Sequence, residues 1–243
     1  MYSDADAAAL YDVLNAWAAS DDFYLAHVMA AGSALDVGCG TGVLLHRARD
    51  AGHRGRLTGI DPDRAALERA RRRADVEWVD GRAVDIPWRG EFDVAVMASN
   101  AFQCLVTDDE IAASLAKIRT ALVDGGRFVF ETRNPAYRQW TEWRPENAVD
   151  VVDHAGRALR IAHRVESVAD GVVTFTETTA TPDGDVLRVD RASLRFLEPD
   201  ELRGFLADAG FRVARLGDWD GGPLTERSKS IVVVAEPGSA PGR

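Results

Sequence analysis

LDVGCGTGVL, residues 35–44, decides how the rest of the chain is read. A short apolar run carrying one acid, Asp36, gives way to three alternating glycines, Gly38, Gly40 and Gly42. Backbone this bare lets another molecule approach closely. Strand, glycine loop and helix in that order make a nucleotide-cofactor site the natural hypothesis, although a lone glycine pattern is weak. The dinucleotide fingerprint GxGxxG would put its third glycine at position 43, which is Val43 here. The spacing GxGxG fits pyrophosphate less well, and no Gly-Lys-Ser/Thr follows to make a P-loop.

Outward from the loop, apolar runs alternate with helical periodicity. SALDVG (33–38), RLTGI (56–60), VEWVD (76–80), FDVAVMAS (92–99) and RFVFET (127–132) read as strands. Residues 42–52, 61–73 and 107–122 read as helices, the second with Pro62 in its first turn and the third stopped by Asp124-Gly125-Gly126. Two helices precede them, Ser3 to Ala18 with Ser3 and Asp6 as a capping pair, and Asp22 to Ala31. This rhythm predicts βαβ units in an open, doubly wound α/β sheet. From Asn134 to Phe196 it changes to alternating Val-, Thr- and Arg-rich segments separated by Asp170-Gly171 and Asp183-Gly184, which predicts an antiparallel β insertion. Helix 198–211 and strands 211–219 and 230–236 return to the first pattern, and residues 237–243 read as a disordered tail.

The 243 residues are 46% hydrophobic and 28% charged with a net charge of −10, an ordinary soluble composition that argues against nucleic acid as partner. Cys39 and Cys104 make neither a disulfide framework nor a zinc quartet. No signal peptide or membrane span is expected, so the reading is a cytoplasmic protein with no metal and no membrane partner.

Asp61 follows the second strand about 20 residues past the loop, where an acid in this fold grips a ribose diol. Its alternative duty is to cap the helix that begins at Pro62. Taken together, LDVGCGTG (35–42), TGID (58–61), VDGRAVDIPW (79–88), FDVAVMASNAF (92–102) and DGGRFVFET (124–132) resemble the successive motifs of class I S-adenosylmethionine-dependent methyltransferases. The resemblance spans residues 11 to 133 and 198 to 236. It implies a Rossmann-like seven-stranded sheet of order 3-2-1-4-5-7-6 with the last strand antiparallel, S-adenosylmethionine as cofactor, and a small-molecule acceptor. The chain is most similar to bacterial small-molecule members with a β-rich cap after strand 5, some acting on amino sugars or antibiotic precursors. The domains expected are a core of 1–133 and 197–236 and a cap of 134–196, in a monomer or homodimer.

The resemblance also implies site residues. Gly38, Cys39 and Gly40 would admit the methionine part, Asp36 would hold its ammonium end, and Asp61, with Pro62 beside it, would take both ribose hydroxyls. Where the family often has Gly-Asp-Ala after strand 3, this chain has Gly81-Arg82-Ala83, and arginine cannot accept a bond from adenine. Adenine is then read by Ala83 backbone with Arg82 stacking, or by Asp80 or Asp85. Ser99 and Asn100 should lie where the methyl group leaves, and Tyr11 should close over the cofactor. Tyr24, Phe102, Arg133, Tyr137, Trp140 and Trp219 are the expected acceptor residues. Phe102 serves equally well as core. Catalytic candidates are Asn100, Gln103, His154 and His163. SNAFQCL (99–105) has no histidine, while His46 and His53 read as solvated.

Methyl transfer to an amine or hydroxyl of a small molecule is the function these residues favour, and the resemblance implies a place in secondary metabolism. A nicotinamide-dependent oxidoreductase competes with it but lacks the GxGxxG spacing and a Tyr-x-x-x-Lys pair. A third possibility is a cofactor-binding protein without turnover, suggested by Arg82 and the missing histidine.

Overall fold

The computed structural model describes residues 2–238, so residues 239–243 of the expected tail lie outside the described residues. Helix α1 (Asp4–Leu14) opens with Ser3 and Asp6 as a reciprocal capping box, as expected. It stops short of Ala18 because Asn15 closes it, both its backbone and side-chain N–H groups donating to the Tyr11 carbonyl. Helix α2 (Ala19–Met29) then starts afresh, with the Asp21 carboxylate accepting from Ala18 N–H. There follow β1 (Ser33–Val37), α3 (Val43–Asp50), β2 (Arg56–Asp61), α4 (Arg64–Ala70), β3 (Glu77–Asp80), β4 (Phe92–Met97), α5 (Asp108–Ala121) and β5 (Leu122–Arg133). Asp124-Gly125-Gly126 does not simply stop α5. The strand begins at once and carries Gly125 at φ 78°, where the pairing of β4 with β5 slips register.

Strands β6 (Val149–Val152), β7 (Ala158–Ala169), β8 (Val172–Ala180) and β9 (Val186–Arg195) form a separate antiparallel sheet. Its β7–β8 turn is Asp170-Gly171, both residues at positive φ, the geometry that this dipeptide favours. Helix α6 (Pro199–Asp208), β10 (Phe211–Gly217) and β11 (Ser230–Pro237) complete the main sheet. Its order is β3-β2-β1-β4-β5-β11-β10, with β11 antiparallel to both neighbours. Counting β10 and β11 as sixth and seventh, this is the expected 3-2-1-4-5-7-6.

Side chains alternate across a strand, so each face of the sheet takes every second residue. Leu35, Ala95, Met97, Phe128 and Phe130 pack with Ile111, Leu115, Leu202 and Leu206 of α5 and α6. Ala34, Val94, Val96 and Val129 pack on the other side with Tyr24, Val28 and Leu45 of α2 and α3. By the same parity Asp36 and Glu131 fall on the α2 side, at the carboxyl edge, where open α/β sheets bind ligands. Helix α1 lies across the small sheet, Tyr2 and Leu10 packing with Leu159 and Ile161. Its other end, at Tyr11, thereby reaches the same edge. No helix among the described residues is long and apolar enough to cross a membrane.

Candidate active site

Gly38, Gly40 and Gly42 sit at φ 75°, 52° and 79°, a region that only glycine enters cheaply. Their reasons differ. A Cβ on Gly42 would lie 2.5 Å from the Trp78 ring, so this glycine lets α3 pack on β3. A Cβ on Gly40 would meet nothing within 4 Å. The chain itself does not use that space. The loop is fixed from outside it: Gly38 and Cys39 N–H donate to the Ile60 carbonyl at 2.8 and 3.2 Å, and Gly40 N–H to Asp61 Oδ2 at 2.8 Å. The Thr41 hydroxyl donates to Asp12 at 2.5 Å, tying the loop to α1. Burial pushes the Cys39 thiol well above its ordinary value, which leaves it a small buried side chain with no nucleophilic chemistry.

Asp61 is not a helix cap. Its Oδ1 accepts from Asp63 N–H at 2.8 Å, and Asp63 caps α4 by accepting from Ala65 and Ala66. Pro62 is exposed and precedes that cap, two residues before the first turn expected for it. Each Asp61 oxygen holds one backbone N–H and keeps acceptor capacity for a second donor. Asp36 is 2% exposed, and its Oδ1 has no partner. Burial, with the Asp61 charge adding to it, pushes its carboxyl up to about 7.

This carboxyl makes a prediction for the free protein. A group that holds its proton more tightly folded than unfolded contributes stability at low pH, and that contribution is lost as pH rises through its folded value. Asp36→Asn should therefore gain on wild type in stability between pH 5 and pH 8, by about 3 kcal/mol. Thermal melts across that range check it; a constant difference would mean that Asp36 does not titrate there.

Beyond β4, Ser99 and Asn100 are both left-handed, at φ 55° and 59°. Two consecutive non-glycine residues in that region cost on the order of 1–3 kcal/mol each unless held by their surroundings. Asn100 N–H donates to Glu131 Oε1 at 2.8 Å from the neighbouring strand, and Ala101 N–H to the Ala98 carbonyl at 3.1 Å. The Tyr11 hydroxyl faces Ser99, with Cys104, Asp61 and Glu131 around it. A pocket of about 80 Å³ runs from Tyr11, Asp12 and Trp17 past Asp21 and Asp36 to Gly38–Gly40, Ala98 and Ser99.

The remaining candidates divide between site and scaffold. Phe102 does not line the mouth: it is 2% exposed and stacks on Phe130, centroids 4.5 Å apart. Tyr24 is equally buried, in the apolar cluster under α2, where Trp219 packs edge-on against it. Gln103 has both ends committed, its amide donating to the Arg195 carbonyl and accepting from Arg133 at 2.8 Å. Arg133 also donates to Gln139 and lies over the Trp143 ring. Trp143 in turn contacts Phe175 and His163, and His163 is paired with Glu177 at 2.8 Å. Trp140 meets Phe196 edge-on, and Tyr137 lies under the Lys229 ammonium.

His154 does not reach this region. It is exposed in the turn after β6, beside the Asp153–Arg157–Asp6 contacts at the far end of α1. His53 is buried against the Ala31 carbonyl and His46 contacts the Ala70 carbonyl, so neither is merely solvated. Arg82 is exposed and donates to Asp85, which is thereby occupied in closing its own turn, while Ala83 is buried. The acids Asp12, Asp21 and Glu131 were not anticipated. Glu131 had a legible signal, since it is the single acid in the run RFVFET (127–132), as Asp36 is in its own strand.

Residues 34–126 match the family described as methyltransferase domain. Over 219 residues the chain is 28% identical to a cypemycin N-terminal methyltransferase from a Streptomyces species, covering 83% of this chain and 82% of that one. A solved amino pentose methyltransferase from Micromonospora echinaspora, involved in calicheamicin biosynthesis, is 25% identical with a TM-score of 0.65, covering 97% of this chain and 92% of that one. An S-adenosylmethionine-dependent methyltransferase from Clostridium acetobutylicum shares the fold at 14% identity, TM-score 0.74, covering 95% and 97%. The chain carries a methyltransferase domain over residues 34–126 and has the Rossmann-like fold of the class I S-adenosylmethionine-dependent methyltransferases it resembles, and S-adenosylmethionine is its cofactor. The nicotinamide reading is set aside. The residues present suit the cofactor: open space over Gly40, an unpartnered buried oxygen on Asp36, and acceptor capacity on Asp61.

Proposed function

We propose that this methyltransferase acts on an amine nitrogen of its acceptor, a small molecule or the amino end of a peptide. The observation that carries this is the chemistry beside Ser99: Asn100 Oδ1 and Glu131 Oε2 are both buried and both without a donor. An amine arrives with N–H donors to give. The similar proteins named as an N-terminal methyltransferase and as an amino pentose methyltransferase support the same reading.

In this reading Gly38, Cys39, Gly40 and Asp36 hold the methionine part, Asp61 with Pro62 the ribose, and Ala83 with Arg82 the adenine edge. Ser99, Asn100 and Tyr11 border the transferred methyl. The sulfonium supplies that methyl, with the N–C bond forming as the C–S bond breaks and sulfur keeping the electron pair. The chain's contribution is orientation and exclusion of water, which supply much of the catalysis of such a displacement. Residues 134–196 form the cap over a core of 1–133 and 197–236, and Arg133, Tyr137 and Trp140 belong to its acceptor wall.

The test is formation of S-adenosylhomocysteine with a panel of amino sugars, free-amino peptides and phenols. Turnover confined to amines is expected, and turnover confined to phenols would overturn the proposal. In the same assay Tyr137→Ala with Trp140→Ala should raise the acceptor KM about tenfold, the loss of roughly 1.4 kcal/mol of contact. Cofactor affinity should stay within about twofold. Lost cofactor binding with an unchanged acceptor KM would make those aromatics a brace.

A further inference from the structure

We propose that Glu131 is the group that receives the acceptor's amine and takes its proton, with Asn100 Oδ1 as the second acceptor beside it. This deepens the nitrogen reading and rests on it. Glu131 is 3% exposed, and its two oxygens have different fates. Oε1 is spent on Asn100 N–H at 2.8 Å, holding the left-handed Ser99–Asn100 turn, while Oε2 is buried with no partner. A buried acceptor left without a donor is costly, and native structures rarely retain one without a reason. Here two such atoms belong to residues already joined by a hydrogen bond, at the carboxyl edge of β4 and β5. An incoming ammonium satisfies both.

The charged and titratable groups facing Glu131 are Asp21 of α2, Arg133 of its own strand and Tyr11 of α1. Burial raises its carboxyl to about 7, with Asp21 adding to the rise and the Arg133 charge opposing it. It is thus poised to be ionised when the amine arrives and protonated after the transfer, the match that general-base catalysis favours. The step balances: the O–H bond at Oε2 forms as one N–H bond of the ammonium breaks. The lone pair left on nitrogen is the nucleophile. The proton passes to solvent as the methylated product departs.

Glu131→Gln tests this, because the amide oxygen can still accept from Asn100 N–H and preserve the turn. The acceptor is the amine identified by the panel, with an alanyl peptide bearing a free N-terminus as first probe. Wild-type kcat/KM should rise with pH, with the midpoint of the rise near 7. Glu131→Gln should fall about 100-fold below it at pH 7. Its profile should go on rising towards the amine's own pKa, so that the gap shrinks to less than about tenfold near pH 9.5. Calorimetry should find S-adenosylhomocysteine affinity changed by less than about threefold. Parallel pH profiles, or a loss of cofactor affinity as large as the loss of kcat/KM, would overturn the assignment while leaving the nitrogen reading intact. Wild-type turnover of phenols alone would instead defeat that reading, and this proposal with it.

Discussion

Replacing Asp61 by alanine should weaken S-adenosylmethionine binding about 1,000-fold while the fold survives. The carboxylate has four lone-pair sites and spends two on Gly40 and Asp63 N–H groups. Two ribose hydroxyls would take the others, and charge-assisted bonds of roughly 2 kcal/mol each come to about 4 kcal/mol. Stability should suffer far less. The Asp63 cap of α4 stays in place, and Asp36 is relieved of a neighbouring charge. A loss of about 1 kcal/mol lowers the melting temperature of a domain this size by about 2–4 °C. Calorimetric titration beside a thermal melt separates the two effects. An unchanged dissociation constant with a lowered melting temperature would reduce Asp61 to a brace for the glycine loop.

The second large effect contrasts two glycines of that loop. Gly40→Ala adds a methyl group where the protein has nothing within 4 Å, so its cost to the fold is confined to the left-handed backbone, about 1–2 kcal/mol. That methyl group would occupy the space assigned to the cofactor, and affinity should fall more than about 100-fold. Gly42→Ala instead drives its Cβ to 2.5 Å from Trp78 and 3.0 Å from Ala70. It should destabilise by roughly 3 kcal/mol, as overpacking of a core does, with α3 displaced from β3. Melting temperatures and cofactor titrations of both variants check the pair. Equal damage to stability in both would show that Gly40, too, is there for packing.

The middle of the main sheet was legible because β1, β2 and β4 are buried, largely apolar runs, the mark of burial on both faces, and each of the three is followed by a helical period. The antiparallel cap was legible from Asp170-Gly171, whose positive φ values the turn requires. The helix boundary at Asn15 was not, because Trp17 extends the apolar period past the true end. In the structure its indole donates to Asp22 and its ring lies under Arg47. Asp61 and Asp63 could not be told apart by sequence, since two acids around one proline offer the same capping chemistry. Phe102 and Tyr24 show the same limit: an aromatic near a site reads alike whether it packs or binds. Glu131 carried a signal as the lone acid of its apolar run, but its partner, Asn100 N–H just past the neighbouring strand, depends on pairing register, which is a property of the fold.

The most direct test of the account is transfer of a carbon-13 methyl group from labelled S-adenosylmethionine to an amine acceptor from the panel, read by NMR of the product. Nitrogen-bound methyl carbons resonate upfield of oxygen-bound ones. The account predicts a single labelled methyl signal in the nitrogen range, appearing in step with S-adenosylhomocysteine. A labelled methyl on oxygen, or tight cofactor binding with no transfer to any amine, would contradict it.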